Sequence, residues 1–218
     1  MAEEFRAIVT ELERAIAVIR FNRPTQRNPL SLATLHDLAS TLSDLIPRDD
    51  VKSLIFTGTA DVFASGADIR ELAQLDSSSA LQFSQFGQSV LQRIADAPQL
   101  TIAAINGYCM GGALDLALAC DIRVASKSAI FSHPGARLGI ITGWGGTQRL
   151  PRIIGGARAL EFFTTARRYT SQKALEMGLV SHIGDPAIFQ ALRLAAGKKR
   201  RWQRNPPPSA GPKQNTTS

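Results

Sequence analysis

The chain has 218 residues, 44% of them hydrophobic and 20% charged, a length and balance that fit one folded domain and exclude a chain disordered throughout. Its formal charge of +7 is concentrated at one end, because Lys198, Lys199, Arg200, Arg201, Arg204 and Lys213 follow Gly197 with no acid among them. The body is therefore near neutral, and a basic segment of this kind can attract nucleic acid or anionic lipid but is more often a solvated end.

Met1-Ala2-Glu3-Glu4 carries acids and leads into no signal-type apolar stretch, and no apolar run is long enough to span a membrane. Cys109 and Cys120 lie in apolar surroundings that suit buried, reduced thiols. His36, His133 and His182 are scattered without metal-ligand spacing. The expectation is a cytoplasmic protein with no metal and no membrane partner.

In chain order, Ile8-Val9-Thr10 and Ala15 to Phe21 read as a hairpin ended by Asn22-Arg23-Pro24. Ser31 is placed to cap a helix whose Leu32, Leu35, Leu38, Leu42 and Leu45 fall at helical spacing, and Pro47 stops it. Ser53 to Gly58 is a short buried strand. Phe63 to Leu72 then runs from strand through Gly66 into a helix start, with Asp68 at a position the helix dipole favours. Ser77 begins a longer helix with Phe83, Phe86, Val90, Leu91 and Ile94 on one face, ending at Pro98.

Leu100 to Ile105 has the length and β-branching of a buried strand and stops at Asn106-Gly107. Gly111-Gly112 opens a helical run from Ala113 to Cys120. Paired glycines at such a bend let the backbone approach a ligand, and helix-start N–H groups can hold an oxygen that becomes an oxyanion. They serve close packing equally well. Asp115, three residues after Gly112, shares that face of the first turn and can handle a proton nearby, or simply satisfy the dipole. The bend at Gly66 offers a second set of N–H groups, and two converging donors make a better oxyanion site than one.

Asp121 to Ala125 reads as a strand, Ala129 to Ser132 as an extended piece, and Gly139 to Gly146 as a glycine-rich loop without the lysine of a phosphate-binding loop. Ala157 to Thr165 and Ser171 to Met177 read as helices, the second closing at Gly178. Ile188 to Ala196 starts another. Strand followed by helix recurs, which argues an α/β fold without a visible sequence repeat. The expected organisation is one domain over 1–196 and a basic, proline-rich, disordered tail over 197–218.

Five motifs in order make the chain resemble the enoyl-CoA hydratase/isomerase (crotonase) family: Phe21-Asn22-Arg23-Pro24, Phe63 to Ile69, Asn106-Gly107 with Gly111-Gly112, Leu116-Ala117 with Cys120-Asp121, and Leu179-Val180. The resemblance runs from about Phe5 to His182. It implies a spiral of repeated ββα units, a coenzyme A thioester as substrate with no separate cofactor, and assembly as a homotrimer or hexamer. It implies further that the backbone N–H groups of Ala67 and Gly112 hold the thioester oxygen while Asp115 moves a proton. Ala67, Asp68, Ile69 and Arg70 would border the coenzyme A, with Arg23 and Arg70 as phosphate partners.

The departures from the family pattern bear on the reaction. Hydratases of the family carry glutamates at the positions of Asp115 and Gly135, so here the first acid is shortened and the second is absent. Dienoyl-CoA isomerases have Asp at the first position, but also acids at those of Gly135 and Gly143. His133, Arg137 and Trp144 are left to furnish that pocket, with His133 a candidate catalytic residue or a packed, hydrogen-bonded one. The family continues past Leu179-Val180 through helices that cover the site, whereas this chain has one partial helix and its basic tail, so the C-terminal helical part reads as incomplete. The resemblance leaves three readings: double-bond isomerisation or hydration of an enoyl-CoA, decarboxylation of a malonyl-type thioester (some family decarboxylases share the Gly-x-x-x-x-Trp-Gly-Gly spacing of Gly139 to Gly146), and a non-catalytic acyl-CoA- or RNA-binding relative.

Overall fold

The computed structural model describes residues 6–197; the tail expected from the sequence lies, but for Gly197, outside the described residues. The chain opens with a hairpin of β1 (Ile8–Glu13) and β2 (Ile16–Phe21), which Arg14 turns at φ 54°. After a 3-10 turn (Pro24–Gln26) come β3 (Pro29–Leu30) and α1 (Leu32–Leu45). Ser31 caps α1 by accepting from the Thr34 N–H, as its sequence position indicates. Leu35, Leu38, Leu42 and Leu45 are buried, but Leu32 is exposed at the first turn.

The middle of the chain repeats one plan. β4 (Ser53–Thr57) leads to β5 (Val62–Ala64), β6 (Gly66–Ala67), the single turn α2 (Ile69–Leu72) and the long α3 (Ser77–Asp96). β7 (Leu100–Ile105) leads to β8 (Tyr108–Met110) and α4 (Gly112–Ala119), and β9 (Ile122–Ala125) leads to β10 (Ile130–Ser132), a 3-10 turn (Pro134–Leu138) and α5 (Gly146–Ile154). α6 (Gly156–Thr165), β11 (Tyr169–Thr170), α7 (Ser171–Glu176), β12 (His182–Ile183) and α8 (Ala187–Ala196) complete the described residues.

The first strand of each unit enters a six-stranded sheet of order β1-β2-β4-β7-β9-β12, parallel except for the opening hairpin. The second strand of each enters a four-stranded sheet of order β11-β10-β8-β5, in which β5, β8 and β10 are parallel. Successive units thus advance one strand in both sheets together, which is a spiral of ββα units. No sequence repeat marks it; the strand order alone carries it.

α4 lies in the core. Every residue from Ala113 to Ala119 is buried, and a helix apolar on all sides is one that packs on all sides. At its end Asp121 accepts from the backbone N–H and hydroxyl of Thr101, while the Thr101 hydroxyl accepts from the Asp121 N–H. This motif residue fastens α4 to β7. Asn106 works likewise, accepting from the Gly58 N–H and donating to the Ala60 carbonyl.

α5 follows the glycine-rich loop, over residues to which the sequence pattern assigns no element. Pro151 sits inside it and glycines precede it, yet Gly146, Leu150 and Ile154 are buried one turn apart. Among the described residues, no helix is long and apolar enough to cross a membrane.

Candidate active site

The parallel register of the small sheet brings three strand ends to one edge. Beyond β5 lie Ser65, Gly66 and Ala67, beyond β8 Gly111 and Gly112, and beyond β10 His133 and Pro134. All of these border one cavity of about 240 Å³, closed by Phe83 of α3, by Leu138 of the 3-10 turn and by Ile140, Thr142 and Trp144 of the glycine-rich loop. The two glycine bends touch: a Cβ on Gly66 would stand 2.6 Å from the Met110 carbonyl oxygen and 3.0 Å from the Gly112 nitrogen. Gly66 also has φ +90°, so both conformation and space require glycine there.

Of the residues singled out in the sequence, Ala67, Ile69, Gly112 and His133 line this cavity together. Asp115 stands one layer behind. It has no exposed surface, and His133, 4% exposed, places Nε2 3.1 Å from Asp115 Oδ1. The Thr142 hydroxyl donates to Asp115 Oδ2, so both carboxylate oxygens are engaged. A Cβ on Gly146 would overlap Asp115 Oδ1, so the start of α5 presses directly on the carboxylate. His133 is the one titratable side chain among the described residues that border the cavity.

Asp68 and Arg70 bond to each other rather than lining the cavity. Asp68 caps α2 by accepting from the Arg70 N–H, and its carboxylate takes the Arg70 guanidinium at 2.6 Å. The hydrogen bond from Arg70 holds the Asp68 carboxyl below its ordinary range, against the opposing effect of burial. Arg23 opens the 3-10 turn after β2, with its N–H donated to Asn28 Oδ1. Arg137 turns away to a neighbouring hollow of about 400 Å³, where it joins Arg27 and Arg168 with no carboxylate among the described lining residues. Ser65 and Pro134 border both spaces.

Thr142 was not singled out in the sequence, although it is the one hydroxyl inside the glycine-rich loop. The absence of an acid at position 135 has a steric counterpart. A Cβ on Gly135 would stand 2.5 Å from the Ile140 carbonyl oxygen, so the loop closes over this position as if it were glycine. Cys109 is fully buried behind the site. Burial first, and then the charges of Asp115 and Cys120, push its thiol well up, which suits an inert side chain. No cluster of His, Cys, Asp or Glu among the described residues could hold a metal ion.

Residues 11–209 match the family model for enoyl-CoA hydratase/isomerase. The chain is 35% identical over 185 residues to a short-chain-enoyl-CoA hydratase of Clostridium acetobutylicum, covering 84% of this chain and 71% of that one. It is 37% identical over 196 residues to a crotonyl-CoA hydratase of Syntrophomonas wolfei, covering 89% and 75%. A crystal structure of enoyl-CoA hydratase from Bacillus anthracis superimposes with a TM-score of 0.84 at 36% identity, covering 87% of this chain and 75% of that one. The chain spans 66% of the length of one curated relative and 71% to 75% of these two.

Proposed function

The chain belongs to the enoyl-CoA hydratase/isomerase family, and on that premise we propose that it binds an enoyl-CoA thioester in the 240 Å³ cavity and shifts its double bond through an enolate. The observation that carries this reading is the meeting of Ala67, Gly112 and His133 at one cavity, with His133 bonded to a buried carboxylate.

The thioester oxygen sits between the N–H groups of Ala67 and Gly112. A donor of this kind contributes on the order of 10²–10³ in rate when negative charge develops on the oxygen it faces. With Asp115 accepting from Nε2–H, Nδ1 is the nitrogen of His133 left to take a proton. It removes a proton from the α-carbon of a 3-enoyl thioester, and the electron pair spreads onto the thioester oxygen as a dienolate. The imidazolium, its proton exchangeable with solvent, then protonates the γ-carbon, giving the 2-enoyl thioester. One acid/base group suffices for this shift, whereas hydration needs a water activated and a proton delivered. Isomerisation is therefore the reading preferred over hydration.

The test is incubation of the protein with vinylacetyl-CoA and with crotonyl-CoA in D₂O. Isomerisation raises the enoyl-thioester absorbance of the first and leaves deuterium at its α- and γ-carbons. Rapid hydration of crotonyl-CoA without isomerisation would reverse the preference. With His133 the one titratable side chain among the described lining residues, decarboxylation is a second reading, since CO₂ leaves without a base and a His133 imidazolium then protonates the enolate. Release of CO₂ from methylmalonyl-CoA would identify it.

A further inference from the structure

Trp144 lies at the end of the cavity, and what is behind it is not solid protein. A groove of about 830 Å³ runs between α3 and α5, and it shares Ser84, Thr142, Gly143 and Trp144 with the cavity as common walls. The indole fills the space between the two. A Cβ on Gly87 of α3 would overlap its Nε1 edge, and a Cβ on Gly112 of α4 would overlap the opposite, six-membered edge. Trp144 is buried, and its ring centroid stands 5.4 Å from that of Phe83. Two bonds seal the wall beside the ring, from Ser84 Oγ at 3.0 Å and Gln88 Nε2 at 2.7 Å to the Gly143 carbonyl oxygen. Arg149 holds the Trp144 carbonyl oxygen at 3.1 Å and Gln92 at 3.0 Å, fixing the loop from the α5 side.

We infer that Trp144 is the residue that sets acyl length: its indole is the end wall of the acyl pocket, restricting the protein to short acyl thioesters. This rests on the acyl-CoA reading above. A cavity of about 240 Å³ falls below the roughly 300–1,000 Å³ of pockets that hold drug-sized ligands. The compartment behind the wall is lined by Gln85, Gln88, Gln92, Gln148 and Arg152, a polar surface that offers an alkyl chain little. Removing the indole joins the two spaces, so longer acyl groups gain room while their tails meet those amides.

The experiment measures binding of butyryl-, hexanoyl- and octanoyl-CoA by calorimetry to the whole chain, so that it does not depend on turnover. Wild type should bind butyryl-CoA more tightly than octanoyl-CoA, since one methylene without room changes selection by roughly 10–200-fold. In Trp144→Ala the octanoyl penalty should shrink by about tenfold or more, while butyryl binding weakens or stays as it is. Trp144→Leu asks the same question with a side chain that keeps more of the packing, should the alanine variant misfold. Adding Gln85→Trp to either variant places a ring in the groove alone and should restore the penalty. Equal wild-type affinity for butyryl- and octanoyl-CoA, or a penalty unchanged in a folded Trp144 variant, overturns the assignment while leaving the acyl-CoA reading intact. Binding of none of the three thioesters by wild type overturns both.

Discussion

His133 Nε2 stands 3.1 Å from Asp115 Oδ1, and this bond joins a cavity-lining imidazole to a carboxylate with no exposed surface. The two residues are eighteen positions apart and come from different units of the spiral, His133 from the end of β10 and Asp115 from the first turn of α4. If they move a proton as a pair, His133→Gln and Asp115→Asn should each lower α-proton exchange by roughly 10²–10⁴. The double variant should be little worse than either single one, because groups acting as a unit are not additive. Exchange followed by NMR in D₂O measures all three. Full exchange in His133→Gln would take the imidazole out of the chemistry.

Gly112→Ala should disturb the site sterically, since the new Cβ overlaps the Trp144 ring. Overpacking of this kind costs about 1–3 kcal/mol. In a domain of this size that corresponds to a fall in Tm of roughly 2–12 °C, measurable by calorimetry. An unchanged Tm with full activity would mean that the ring yields freely.

Supplying the family's two glutamates should not create a hydratase. Gly135→Glu places its Cβ 2.5 Å from the Ile140 carbonyl oxygen, and Asp115→Glu lengthens a side chain already pressed by Gly146. Each change overpacks, and the carboxylate at position 115 would still lie behind His133. The double variant is expected to melt lower than wild type and to hydrate crotonyl-CoA no faster. A gain in hydration by a folded double variant would show that the loop from Gly139 to Gly143 gives way.

Cys109 should resist thiol reagents in the folded protein. Its thiol is fully buried and held protonated well above the ordinary range, first by burial and then by the neighbouring charges. The thiolate is the reactive form, so raising the pH to 8 should leave Cys109 unlabelled by DTNB until denaturant is added. Mass spectrometry of the labelled chain locates the site. Fast native labelling at Cys109 would mean that the packing around α4 opens.

Where local chemistry decided the outcome, the sequence was readable. Ser31 names its own helix start, and Leu100 to Ile105 is buried throughout, as β-branched apolar runs tend to be. The two glycine bends were visible for the same reason, since close backbone approach leaves no other residue. Depth was not visible. The position of Asp115 in a first turn fixes its direction along the helix, but its complete burial depends on Gly146 of α5, a helix hidden by Pro151 and its leading glycines. Arg137 is, with His133 and Trp144, a candidate to furnish the pocket that lacks acids at Gly135 and Gly143, yet its place in the 3-10 turn carries it round to the hollow of Arg27 and Arg168. Thr142 could have been picked out as the lone hydroxyl of its loop, but only the fold shows which carboxylate it meets.

The strand order also leaves β1 at one end of the large sheet, with Thr10, Glu11, Leu12 and Glu13 all exposed. An edge strand of that length can recruit the edge of another molecule and begin aggregation. Leu12, half exposed, invites such pairing, and the carboxylates of Glu11 and Glu13 on either side repel it. The protection of this edge thus rests on Glu13 and on Glu11, itself 3.5 Å from Arg20, two residues far along the sequence from the cavity that selection for catalysis alone would leave free to change.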